Sequence, residues 1–365
     1  MPDHVDDVDL FQDVPREERP RRRLRDRWVL VTALSLIGVL VLGGLTAALV
    51  LRNNLDRNVE RIADPFESLP TRPPVASAEP GAASDRTPMN ILVVGTDSRI
   101  SAGDPSQWER GGQRTDVMML VHLPADRESA YAMSIPRDSW VDIPGHGQAK
   151  MNAAFSYGGP SLLIQTFEQL TNVRIDHFAV TDFESFTSIT DSLGGVQLTL
   201  KNDLLARDRR TVLVPAGIQT LDGEQALTYV RERKTLARGD FDRVQRQQAW
   251  MRAIFQKVLS EQTVQNPTRW VPFLDAVTSS VAVDEGLTMD VMQDLIGQVR
   301  NLRSADIGFF TVPIQGTGTS ADGQSIVILD QPAFDDLMAA VAQDDLGTFL
   351  EQNPDAVDSL PSVAP

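Results

Sequence analysis

The sequence contains no cysteine. That excludes a disulfide framework, a thiolate zinc site and a cysteine nucleophile together. It also lacks a surplus of positive charge: 34 lysines and arginines face 50 aspartates and glutamates, a formal net charge of −16. So acidic a chain is a poor candidate for nucleic-acid binding. Histidine is scarce, with four in 365 residues. His122, His146 and His177 have no partner at metal-ligand spacing, so each is expected to be structural. No Walker loop, nucleophile elbow or His-Glu-x-x-His pair is present. At 42% hydrophobic and 23% charged residues the composition is that of a globular protein. The length allows two domains, or one large domain with extensions.

The few basic residues are unevenly placed. Beyond Asn301 the only one is Arg303, whereas residues 229–247 carry Arg231, Arg233, Lys234, Arg238, Arg243 and Arg246. A basic centre in an acidic protein points to one specific anion, and arginine suits bidentate phosphate recognition.

Residues 28–51 hold no charged side chain. As a helix they would rise about 36 Å, enough to cross a hydrocarbon core of about 30 Å. A cleaved signal peptide is the rival reading, but its apolar region should be about 7–15 residues long. The one small-residue cleavage pattern, Ala76-Ser77-Ala78, lies far beyond the segment. A retained signal-anchor is therefore expected. Seven arginines between Arg16 and Arg27 precede the span, and only Arg52, Arg57 and Arg61 follow closely. The positive-inside rule then places residues 1–27 in the cytoplasm and the rest outside the membrane. Residues 52–88, rich in proline toward their end, read as an extracytoplasmic stalk. Residues 351–365 read as a disordered tail, which leaves a folded body at 89–350.

Within the body, strand-like runs at 90–95, 116–123, 130–135, 177–180, 196–200 and 307–312 alternate with helical periodicity at 161–171, 183–193, 243–262 and 289–302. The pattern implies an α/β fold, an α/β/α sandwich around a central sheet. Only residues 124–129 separate two of the strands. That is too short for a parallel crossover, so the pair is an antiparallel hairpin and the sheet is mixed.

The hairpin brings candidate chemistry together. It sets Arg114 and Asp116 beside Arg137 and Asp138, and an antiparallel first strand adds Asp97 and Arg99 at the same sheet end. The bland reading of each pair is a surface ion pair. A second cluster lies downstream. An extended Tyr229-Val-Arg231-Glu-Arg233 would point both arginines to one face. A helix capped at Asp240 would carry Val244, Met251, Ile254, Phe255 and Val258 on an inward stripe. Asp240, Arg243 and Gln247 share that stripe, while Arg246, Gln256 and Lys257 fall on the solvated side. Buried charge at a helix start is costly unless it binds something. A structural Asp240–Arg243 salt bridge is the alternative.

Gly-Thr-Asp97-Ser-Arg99, Arg114-Thr-Asp116, Ser-Ile-Pro-Arg137-Asp138, Lys150-Met-Asn152-Ala-Ala, Tyr157-Gly-Gly-Pro160, Asp-Phe-Glu-Ser-Phe, Leu-Gly-Gly-Val and Tyr-Val-Arg231-Glu-Arg233 with Gly-Asp240-Phe-Asp-Arg243 and Arg-Gln247-Gln occur in order. Together they resemble the LytR-CpsA-Psr family over residues 90–259. The resemblance implies a bacterial envelope enzyme, a phosphotransferase that moves a glycan from a polyprenyl-pyrophosphate carrier onto peptidoglycan. It implies that Asp97 and Asp116 hold a divalent metal, Mg²⁺ or Mn²⁺. Arg99, Arg114, Arg137, Lys150, Arg231, Arg233, Arg243 and Gln247 would bind the pyrophosphate, and Asp240 and Arg137 would serve catalysis. A hydrolase of the same substrates and a non-catalytic envelope attenuator or scaffold are the competing functions. The chain departs from the pattern in an insert at 101–113, where Trp108 and Gly111-Gly112 suggest a flap. It departs again in an extension at 263–350, which either packs on the core of residues 89–262 or completes it.

Overall fold

The structure, a computed structural model, describes residues 52–75, 86–96, 115–206, 208, 210–232, 236–258 and 267–365. The apolar span at 28–51, the cleavage pattern at 76–78, the insert at 101–113 and Asp97, Arg99, Arg114 and Arg233 lie outside the described residues. Among the described residues no helix is long and apolar enough to cross a membrane. Residues 54–365 form one unit.

In chain order, that unit begins with β1 (Glu60–Ile62), β2 (Met89–Thr96), β3 (Thr115–Leu123), β4 (Ala130–Ser134), β5 (Trp140–Ile143) and β6 (Gly147–Lys150). Next come α1 (Met151–Thr171), β7 (His177–Asp182), α2 (Phe183–Ser192), β8 (Val196–Leu200), β9 (Leu204–Leu205), β10 (Val212–Val214) and β11 (Gly217–Leu221). Then follow α3 (Gly223–Arg231), α4 (Asp240–Val258), α5 (Pro267–Thr278), β12 (Val281–Asp284), α6 (Met289–Val299) and β13 (Ile307–Thr311). The chain closes with β14 (Ile314–Thr319), β15 (Ser325–Leu329), α7 (Gln331–Ala342), α8 (Leu346–Gln352) and β16 (Asp358–Ser359).

The central sheet has eight strands in the order β1-β12-β7-β2-β3-β4-β13-β16. It is mixed: β2–β3 and β3–β4 are antiparallel, while β2–β7 and β4–β13 are parallel. Strand periodicity sorts its side chains between two faces. Leu92, Val94, Met118 and Leu120 join Phe155, Leu163, Ile164 and Phe167 of α1 and Phe334, Leu337 and Met338 of α7 in one core. Met119, between two of them in sequence, packs with Ala132, Phe309 and Met251 of α4 instead. Helices therefore cover both faces. A further core joins α2, α3 and α4 to the β8–β11 pair through Leu193, Val196, Tyr229 and Trp250. The turn into β8 needs its glycines. Gly195 has φ +86, and a Cβ there would lie 2.8 Å from the Leu221 carbonyl oxygen.

Three expectations are revised, and one left open is decided. Tyr229 to Arg231 is the last part of α3, not a strand, because Asp222 and Gln225 form a capping box that starts a helix at Gly223. The segment after residue 263 supplies β12, β13 and β16, so it builds the sheet itself. The expected disordered tail is ordered: Leu360 donates to the Phe309 carbonyl, and Ala364 is buried. Part of the expected stalk belongs to the fold as well. Leu55, Val59 and Ile62 are buried, β1 forms an edge of the sheet, and Phe66 and Leu69 pack on the core.

That last contact is locked by charge. Arg72 Nη2 lies 2.7 Å from Glu168 Oε1, its Nε reaches both carboxylate oxygens at 3.2 Å, and Glu168 is 3% exposed. Removing one partner of such a pair strands the other without compensation. Arg72→Ala is expected to destabilise the protein by about 3–5 kcal/mol, read as a lower midpoint in chemical denaturation. Replacing both Arg72 and Glu168 by methionine should recover most of the loss.

Candidate functional site

The residues 137–139 turn is held at three successive carbonyls. That of Arg137 accepts from the Asn152 N–H at 3.1 Å, that of Asp138 from Val327 at 2.9 Å, and that of Ser139 from Met151 at 2.8 Å. The first turn of α1 and the middle of β15 thus grip the same three residues. The β5–β6 hairpin returns the chain to α1, pairing Trp140 with Lys150, the residue that precedes the helix. Lys150 Nζ then lies 3.1 Å from Asp138 Oδ1.

Asp116 arrives from the neighbouring strands. In the β2–β3 ladder Gly95 pairs with Val117 and Thr96 with Thr115, so Asp116 is the extra residue of a β-bulge. Bulges re-aim side chains, and the Asp116 carboxylate meets the Arg137 guanidinium directly. Helix α4 starts after Gly239, whose φ of +56 turns the chain into it. Asp240, at its first position, sets Oδ1 2.7 Å from Arg243 Nη2 and Oδ2 3.9 Å from Arg137 Nε. Asp116, Arg137, Asp240 and Arg243 therefore form a chain of alternating charge.

Asp240 Oδ1 and Arg137 Nε of that chain are both buried without a well-formed hydrogen bond among the described residues. Arg137 Nε is buried and makes no hydrogen bond among the described residues; its nearest carboxylates, of Asp138 and Asp240, are 3.8 and 3.9 Å away. Buried donors are almost always satisfied, and an unmet charged donor costs several kcal/mol in affinity or stability terms. Arg137 lines a cleft of about 680 Å³ together with Asp138, Lys150, Asn152, Tyr157 and Asp240, and with Gln324 and Ser325 at the start of β15. Charge-assisted hydrogen bonds from arginine to a carboxylate or to a phosphate each contribute about 1.5–3 kcal/mol. A polyphosphate oxyanion entering the cleft would therefore compete with the carboxylates for the arginines.

Of the residues singled out in the sequence, Arg137, Lys150 and Asp240 line the cleft, and Asp116 and Arg243, which do not line it, are tied to them by the ion pairs Asp116–Arg137 and Arg243–Asp240. Arg231 sits exposed at the end of α3. Gln247 is buried in α4 and is not among the residues lining the cleft. Arg246 is corrected outright. It is 6% exposed, with its guanidinium 4.5 Å over the Tyr229 ring, donating to the Tyr229 carbonyl at 3.3 Å and the Pro365 carbonyl at 2.6 Å. Burial lowers the pKa of that guanidinium and raises that of the Tyr229 phenol. The solvated face expected for α4 does not exist at that turn, because the chain end packs over it. Phe255, expected inside, is 38% exposed. Gln324 and Ser325 could not be found from sequence: they stand more than 170 residues from Asn152 and carry no motif.

Metal ligation has partial support in chemistry. Among the described residues no group of three or more His, Asp or Glu side chains is placed to hold a metal ion. The donors at the cleft are carboxylate oxygens, which suit a hard cation, and Asp116 is the described member of the expected pair. His122 and His177 are elsewhere. His122 is buried between Asn90 and Asp344, and His177 bonds Asp284.

The LytR_cpsA_psr family model matches residues 60–343. The cell wall biosynthesis protein LcpA of Corynebacterium glutamicum is 34% identical over 278 residues, 66% of this chain and 53% of that protein. The chain spans about half the length of the two Corynebacterium relatives it matches. The polyisoprenyl-teichoic acid–peptidoglycan teichoic acid transferase TagT of Bacillus subtilis is 33% identical over 252 residues, 66% of this chain and 74% of that one. The solved structure of TagT bound to LI-WTA aligns with a TM-score of 0.58 at 27% identity, covering 77% of this chain and 99% of that chain.

Inorganic pyrophosphate is expected to raise the thermal midpoint of the full-length protein, by an amount equivalent to about 2.7 kcal/mol at one hundred times its Kd. Arg137→Lys keeps the charge but loses the planar fork. It should weaken pyrophosphate binding about ten- to a hundredfold, measured by calorimetric titration, with little change in the ligand-free midpoint.

Proposed function

The chain belongs to the LytR_cpsA_psr family, and from that premise we propose that it is a cell-wall glycopolymer transferase. Its substrate is a glycan on a polyprenyl-pyrophosphate carrier, its acceptor is peptidoglycan, and its α/β/α sandwich stands outside the membrane on a single N-terminal span at 28–51. The observation that carries the reading is Arg137, whose buried Nε lacks a hydrogen-bond acceptor, lining one cleft with Lys150 and with Asp240, the partner of Arg243. The names of TagT and its ligand-bound structure support the substrate class.

In this reading an acceptor hydroxyl attacks the glycan-proximal phosphorus. The new P–O bond forms a phosphodiester, the bridging P–O bond breaks, and polyprenyl phosphate leaves with the electron pair. Such transfers depend on alignment and charge stabilisation rather than a covalent protein nucleophile. Arg137 would turn its fork from Asp116 to the phosphate oxygens, and Arg243 would do the same from Asp240. Asp240, freed of its arginine, would accept the hydroxyl proton at a carboxylate oxygen. Lys150 would screen the second phosphate. Asp116, with Asp97, would hold Mg²⁺ or Mn²⁺, which when bound offsets the charge of the pyrophosphate oxygens.

The full-length protein in detergent, given a lipid-pyrophosphate glycan and Mg²⁺ with and without peptidoglycan fragments, tests the proposal. Glycan should appear on the fragments; release into water alone marks a hydrolase, and no turnover leaves the attenuator reading. Asp116→Asn should lower kcat/KM about a hundredfold or more without loss of fold, and EDTA should abolish transfer until Mg²⁺ is restored. Full activity without a divalent ion would remove the metal from the mechanism. A reporter that works only in the cytoplasm, fused after Pro365, should be silent.

A further inference from the structure

Tyr157 takes no part in the charge chain, yet it lines the same cleft and is 45% exposed. Its ring is stacked on His146, with centroids 4.7 Å apart and planes at 24°. His146 sits in the β5–β6 turn between Gly145 and Gly147, which both have left-handed φ. Just after Tyr157, helix α1 breaks: Gly158 and Gly159 are non-helical, and Gly159 has φ +66. A Cβ on Gly158 would lie 2.6 Å from the Leu162 Cβ, so the break requires the small residue. Tyr157 therefore ends a short helical segment whose opening residues, Asn152 and Ala153, line the cleft beside Lys150.

An aromatic ring stacked on one side by an imidazole and about half exposed at a cleft is a surface against which a pyranose ring packs its C–H bonds. The ring's hydroxyls then need polar partners at its rim, and Asn152, Gln324 and Ser325 line the same cleft. Sites that take small ligands combine aromatic faces with a few such polar groups. We propose that Tyr157, backed by His146, is a stacking platform for a sugar ring of the substrate, adjoining the pyrophosphate-binding arginines. This rests on the pyrophosphate reading of the cleft and adds a subsite to it. The ring belongs either to the carrier-linked glycan or to the peptidoglycan acceptor.

The test compares ligands that differ by one sugar. Binding of geranyl pyrophosphate and of geranyl-pyrophosphoryl-N-acetylglucosamine to the full-length protein is measured for wild type, Tyr157→Phe and Tyr157→Leu, with near-ultraviolet circular dichroism as a check on folding. For a donor-side platform, the sugar tightens binding about five- to tenfold in wild type and in the Phe variant. The Leu variant loses that gain while binding geranyl pyrophosphate as wild type does. For an acceptor-side platform, the sugar makes no difference, and Tyr157→Leu instead raises the KM for peptidoglycan fragments by a similar factor at unchanged kcat. Equal weakening toward both geranyl ligands, or no effect in either arm, overturns the platform while leaving the pyrophosphate reading intact. If wild type binds neither geranyl ligand, both fall together.

Discussion

Three backbone hydrogen bonds, to the carbonyls of Arg137, Asp138 and Ser139, govern the geometry of the cleft. They come from two distant parts of the chain, the start of α1 and the strand β15. Because consecutive carbonyls are tied, the turn has little freedom, and the Arg137 guanidinium is delivered to one place. A phosphate-binding arginine that must be ordered at the moment of binding loses affinity to side-chain entropy. Here the backbone ordering is complete before any ligand enters.

The carboxylates around the cleft do a second job. Asp116 and Asp240 hold Arg137 and Arg243 in an alternating array, so like charges are separated by unlike ones without a bound anion. The β-bulge at Asp116 and the left-handed Gly239 are the local irregularities that bring these carboxylates in. Both are departures from regular structure at the point where chemistry is expected.

The C-terminal third is as much a part of this arrangement as the motif-bearing region. Strand β13 extends the sheet beside β4, and β15 holds Asp138 and brings Gln324 and Ser325 to the cleft. The final residues cross α4, the helix that carries Asp240 and Arg243. Arg252 donates to the Pro361 and Ser362 carbonyls, Gln245 to Asp358, and Arg246 to Pro365. A helix with buried Arg246, Gln247 and Gln248 is held by polar bonds as well as by its apolar stripe.

That Asp240 and Arg243 join Asp116 and Arg137 was implied only by the family resemblance. By itself the sequence determined the strands of the sheet centre, the β3–β4 hairpin, and the meeting of Asp116 with Arg137. Those follow from two-residue alternation, a short connection and motifs whose order is local. It did not reveal that Tyr229 to Arg231 is helical, although the capping pattern from Asp222 to Gln225 was present to be read. The burial of Arg246, the docking of residues 54–75 through Arg72 and Glu168, and the pairing of the tail with β13 were decided by tertiary structure alone. So was the part played by Gln324 and Ser325. A sequence pattern encodes period and turn chemistry over a few residues. It carries no record of which distant segment will cover a given face, and each of those contacts joins residues about fifty or more positions apart or lies under such a cover.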